Sequence, residues 1–123
     1  MPKTAKVAPP NSVVLVTGRD DGGGIPLTMA TSVVAATESC IAVGCLSEAD
    51  GQSQLVLGPW REIAEGDEPA FVGLLKTPDR KVEVRSVEGE TLLAIQVPTE
   101  ETVVRIWVNH ALEPDRILIG VGD

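Results

Sequence analysis

Residues 80–110 read RKVEVRSVEGETLLAIQVPTEETVVRIWVNH, and the alternation in this stretch decides the fold class. From residue 80 to 87, Val82, Val84 and Ser86 fall on one side and Lys81, Glu83 and Arg85 on the other. This period of two belongs to a strand with one apolar and one wet face. Gly89 marks a tight turn, after which Leu93, Ile95 and Val97 again share a side, and Pro98-Thr99-Glu100-Glu101 turns the chain once more. Residues 102–110 send Val104, Ile106 and Val108 inward and leave Val103, Arg105, Trp107 and Asn109 outward.

The same grammar extends in both directions. Residues 115–121 form a final strand, and residues 70–76 form one stopped by Pro78-Asp79. Residues 60–65 fit a single helical turn. Segments 40–47 and 53–57 flank Asp50-Gly51, a strong hairpin signal because both positions tolerate positive φ. Residues 27–37 fit both a strand and a helical face and are read as a strand; residues 12–17 are a strand entering the glycine-rich loop 18–24. Residues 1–11, with three prolines, read as a flexible N-terminal tail or a leader strand with little to bury, and 12–123 as a single β domain. Val occurs 17 times, Ile seven and Thr nine in 123 residues, a composition that favours pleated surfaces over helices. The expected fold is an all-β antiparallel sandwich of about eight short strands joined mainly as neighbouring hairpins, with a small β-barrel as the alternative. Strands 40–46, 70–75 and 117–121 are apolar on both faces, so each must lie under a covering segment or face another subunit. A homo-oligomer is therefore an open expectation.

Charge narrows the partners. Ten Lys and Arg stand against 18 Asp and Glu, a net charge of −8. Only Lys3, Lys6 and Arg19 precede Asp20, so residues 20–123 hold all 18 acids against seven bases, a balance of −11. Such a field repels phosphate backbones and anionic lipid, so neither nucleic acid nor membrane is an expected partner, whereas a basic protein is. No apolar run approaches the roughly 20 residues of a membrane span. Residues 13–16 are too short for a signal-peptide core, and the expected location is cytoplasmic.

The candidate chemistry is thin. The loop Gly18–Gly24 lacks the Lys and Ser/Thr of a phosphate loop, and Asp20 and Asp21 oppose an anion. A calcium site from Asp20 and Asp21 with Glu48 or Asp50 matches no fixed ligand spacing. His110 is the sole histidine. Its pairing with Cys40 or Cys45, oriented by Asn109 or Asp115, has no local support. Cys40 and Cys45, an odd separation apart on one strand, point to opposite faces, which excludes a mutual disulfide and does not assemble a zinc set. Asp67-Glu68 and Glu100-Glu101 lie in turns where solvated acids are routine. No catalytic residue, metal or cofactor is expected, and the chain does not read as an enzyme. Trp107 is the oddity, a large aromatic placed outward beside Arg105 and Asn109. Trp and Arg are enriched at binding hot spots, so Trp107, Arg105 and Asn109 are the candidate protein-binding residues; the other account of Trp107 is packing in a second core or over an arginine stem. The expected function is a non-catalytic protein-binding or regulatory module, such as an antagonist of a basic partner. A self-associating assembly subunit and a small-ligand binder are the alternatives.

Overall fold

A computed structural model describes residues 3–7, 13–18, 34–36, 40–44, 51–63, 68–86, 90–109 and 115–122. In chain order these form strands β1 (Lys3–Val7), β2 (Val13–Thr17), β3 (Val34–Ala36), β4 (Cys40–Gly44) and β5 (Ser53–Pro59), then the helical turn α1 (Trp60–Ile63). Strands β6 (Phe71–Lys76), β7 (Lys81–Ser86), β8 (Thr91–Gln96), β9 (Glu101–Val108) and β10 (Arg116–Val121) follow. They make two five-stranded sheets, sheet A in the order β1-β5-β10-β9-β6 and sheet B in the order β3-β4-β2-β7-β8. The expected all-β sandwich is therefore the fold, with ten strands and no closed barrel among the described residues. No helix among the described residues is long and apolar enough to cross a membrane.

The alternation read from the sequence aims the side chains correctly. Val104 and Ile106 of β9, Ile117 and Ile119 of β10 and Leu55 and Leu57 of β5 meet Val14, Val16, Ile41, Val43, Val82 and Val84 of sheet B in one fully buried core. Each such side chain contributes about 1.5–3 kcal/mol through removal from water. The strands pair antiparallel throughout, except that β10 runs parallel to β5.

Several pairings differ from expectation, for one reason: strong turn signals proved to be corners between sheets. Gly51 has a positive φ of 126°, as the Asp-Gly signal requires, yet β4 and β5 do not form a hairpin. Strand β4 pairs with β2 and β3 in sheet B, and β5 pairs with β1 and β10 in sheet A. The turns after β6 and after β8 likewise carry the chain from one sheet to the other. The N-terminal segment is also more than a free tail, because Lys3–Val7 hydrogen-bonds along the edge of β5 and Val7 packs on the core. Residues 8–11 lie outside the described residues, as do most of the ambiguous segment 27–37 and the loop 19–24. Finally, the face of β7 expected to be wet is largely covered: Glu83 is only 7% exposed. The Arg85 guanidinium holds it, with Nη2 2.7 Å and Nε 3.1 Å from Glu83 Oε1. A paired carboxylate is tolerated where a lone one is not.

Thr77 shows how the corners are fastened. Its hydroxyl donates to the Thr99 carbonyl at 2.8 Å and shares a 2.9 Å hydrogen bond with the Thr102 hydroxyl. Its backbone N–H donates to the Glu100 carbonyl and its carbonyl accepts from Arg80 N–H, the residue whose φ of 55° closes the turn. The two passages between sheets are thus locked to each other. Thr77→Val keeps the shape but strips the buried Thr102 hydroxyl of its partner, and an unfolding free energy lower by about 1–3 kcal/mol is expected. A urea titration reads this as a lower midpoint at unchanged slope; an unshifted midpoint removes Thr77 from this role.

Candidate protein-binding face

The three candidate residues Arg105, Trp107 and Asn109 project from one side of β9, the outer face of sheet A, turned away from the sandwich core. Strand register fixes what surrounds them. One row across the sheet holds Lys6, Gln54 and Arg116. The next holds Thr4, Val56, Leu118 and Trp107. The third holds Gly58, Gly120, Arg105 and Val72, and the fourth pairs Val103 with Leu74. This face therefore passes from a polar end, through an apolar middle and a glycine gap, to a second apolar end.

The middle is covered. Trp107 is 7% exposed and forms a second apolar cluster with Val56, Leu118 and Ile63 of α1, with Trp60 packed against it. The glycine row lets α1 settle on the sheet: a Cβ at Gly120 would lie 2.6 Å from Trp60 Cβ and 2.8 Å from its Cα. Above this gap the Arg105 guanidinium stacks on the Trp60 ring, 4.3 Å from its centroid, and Nη1 donates to the Gly122 carbonyl at 3.0 Å. Arg61 approaches the same ring at 5.5 Å. The outward position of Trp107 thus reflects a second core rather than an open surface. Arg105 is half-buried, its charge spread over an indole face, a favourable cation–π contact.

Asn109 sits at the polar end and is exposed. Its side-chain oxygen accepts from the backbone N–H groups of Asp115 and Arg116, both at 3.1 Å, and its amide donates to the Asp115 carboxylate. These bonds hold the start of β10 against the end of β9. Together with Lys6, Gln52, Gln54, Asp115 and Arg116, Asn109 lines a polar pocket of about 380 Å³. The pocket mixes cations, amides and a carboxylate. The structure therefore brings the three candidates onto one face but not into one site: Asn109 at the polar end, Trp107 beneath α1, Arg105 between α1 and the far end.

At that far end lies what the sequence pattern did not single out. The sequence of β6 is apolar on both faces, like those of β4 and β10; β4 and β10 are largely buried, but Val72 is 55% and Leu74 61% exposed. Strand β6 is the edge of sheet A, and α1 does not extend over it. Trp60 was likewise unanticipated as the partner of Arg105. Its only signal was an aromatic directly after Gly58-Pro59, at the start of the expected helical turn.

The remaining candidates stand apart from this face. Cys40 is fully buried with Leu15 and Ala42 on the outer side of sheet B, and burial pushes its thiol up to about 11. Among the described residues no group of three or more His, Cys, Asp or Glu side chains is placed to hold a metal. His110, Cys45 and the acids Asp20, Asp21, Glu48 and Asp50 lie outside the described residues.

Two measurements check this geometry. Trp107→Ala removes the centre of the second core and should lower stability by about 3–5 kcal/mol. Trp60→Phe should change it little, because the Trp60 indole N–H is buried without a hydrogen-bond partner and its loss strands no acceptor. The reverse order of effects contradicts the covered face. For Cys40, a pKa near 11 leaves roughly a hundredfold fewer thiolates at pH 8 than an ordinary cysteine. In a Cys45→Ser variant, Ellman's reagent should therefore react slowly with the native protein and rapidly after denaturation. The stabilising effect of the protonated thiol should be complete below pH 9 and fade as pH rises towards 11.

No family model matches the chain, and no curated protein matches it. Among solved structures the chain is similar to ComJ from Bacillus subtilis, described as an inhibitor of the DNA degrading activity of NucA. The match covers 98% of this chain and 95% of that one with a TM-score of 0.66, at 11% sequence identity. At that identity the likeness is one of fold.

Proposed function

We propose that this protein is a non-catalytic protein-binding module that antagonises a basic partner through the outer face of sheet A. The observation that carries this reading is the exposed pair Val72 and Leu74 beside the Arg105–Trp60 stack, on a chain whose net charge is −8. An exposed apolar patch is where desolvation supplies affinity, and the net negative charge of the chain as a whole favours a cationic partner and speeds its encounter. In this arrangement Arg105 borders the contact, Trp107 supports it from beneath by fixing α1, and Asn109 holds the opposite end of the face. The fold likeness to ComJ supports the same class, since that protein is described as an inhibitor of a DNA-degrading activity. A basic nuclease is accordingly the narrower form of the proposal, with DNA itself repelled by the chain's own charge. A buried, protonated Cys40 thiol suits a reducing location such as the cytoplasm.

Affinity capture at low ionic strength from the source organism's lysate, followed by salt elution, tests the reading. The expected outcome is a basic protein whose affinity falls about tenfold or more between low and physiological salt, as charge-steered pairs do. A chain that captures nothing, yet melts several degrees higher with one small metabolite, is a ligand binder instead.

A further inference from the structure

The exposed pair lies on a strand whose backbone is open on the same residues. The Thr77 N–H donates to the Glu100 carbonyl at 2.8 Å, and the Gly122 N–H donates to the Val103 carbonyl at 2.9 Å. With the register Leu75↔Thr102 and Gly73↔Val104, these two bonds set the phase of the ladder. In an antiparallel pair the bonded residues alternate. Phe71, Gly73 and Leu75 therefore direct their N–H and C=O groups at β9, while Val72 and Leu74 direct theirs away from the sheet. No described strand pairs with β6 on that side. Natural edges are commonly guarded by charge, as β1 is by Lys3 and Lys6. The middle of β6 presents Val72 and Leu74 instead.

Charge decides the occupant. Exposed carboxylates stand at both ends of the strand, Glu68 before it and Asp79, Glu100 and Glu101 after it, against the cations Lys76 and Arg80. A second copy pairing here would bring acidic ends against acidic ends, on two chains of net charge −8 each. The geometry points to β6 as a docking edge that accepts one more strand: an extended segment of a basic protein, with alternating apolar side chains over Val72 and Leu74 and lysines or arginines at its ends. This deepens, and rests on, the proposed protein-binding role. Main-chain hydrogen bonds from Val72 and Leu74 supply attachment, the apolar pair supplies register, and the flanking acids select the sign of the partner.

The probe is a capped nonapeptide of alternating valine and threonine with two lysines at each end, titrated into the full chain with amide hydrogen exchange and NMR shifts as readouts. Expected are saturable binding in the millimolar range or tighter, slowed exchange at the Val72 and Leu74 amides, and an affinity about tenfold weaker for each of two controls. One control carries N-methylated valines, which cannot donate to the edge; the other has glutamates in place of the lysines. The variant Val72→Lys/Leu74→Lys should lose the peptide while keeping its melting temperature, since both positions are exposed. No saturation, shifts that map elsewhere, or equal binding of the N-methylated peptide overturns the docking edge. So does a concentration-dependent dimer in light scattering that this variant dissolves, which makes a second copy the occupant. The two proposals fail separately. A lysate-derived basic partner that still binds the double variant removes the edge and leaves the protein-binding role, whereas peptide addition at β6 without any basic partner leaves the edge and removes the antagonist.

Discussion

The outer face of sheet A has to be covered because β9 and β10 carry large apolar side chains on both sides. Their inner side chains fill the space between the sheets. Trp107 and Leu118 on the other side would be left in water, at a loss of a few kcal/mol, unless something packs on them. Ile63 and Trp60 of α1 do this, and α1 lies close on the sheet because Gly120 has no side chain beneath Trp60. The arrangement is economical but short. Among the described residues this single helical turn packs on Val56, Leu118 and Trp107, while Val72 and Leu74 on β6 stay exposed.

The sequence made the faces legible and the neighbours obscure. Alternation depends on the local geometry of one strand, so the inward set Val104, Ile106 and Val82, Val84 could be read directly. Which strand lies beside which depends on long-range pairing, and a turn residue carries little information about it. Gly51 has the backbone geometry expected of a hairpin turn and still leads from sheet B to sheet A. The polar side of β7 misled for a related reason: Glu83 and Arg85, two residues apart, satisfy each other on a covered surface, and an alternating pattern does not distinguish that from two solvated side chains.

The candidate site was legible in the same partial way. Trp107 beside Arg105 on a nominally polar face was a real anomaly, and it marked the face that differs from an ordinary solvated one. What covers Trp107 comes from a segment more than 40 residues earlier, and what Arg105 stacks on is Trp60. Neither contact has a local sequence signature. Strand β6 was legible as apolar on both sides, which correctly posed the choice between a covering segment and an external partner. Only the sheet order, which places it at an edge, separates it from β4 and β10.

An edge strand with two exposed apolar residues is a hazard for an isolated soluble protein, because its unpaired backbone and its side chains invite the same intruder. The hazard here is bounded by charge. Residues 20–123 carry 18 acids against seven bases, so copies of the chain meet with strong mutual repulsion before their edges can align. That repulsion acts at long range and does nothing to weaken the short-range attraction of the edge. The combination excludes like-charged strands and leaves the same backbone groups open to a cationic one. On the proposed reading, acidity and an open edge, each unremarkable alone, act together as a filter on the sign of the partner. This is why the exposed pair on β6 is better explained as a contact surface than as a defect of packing.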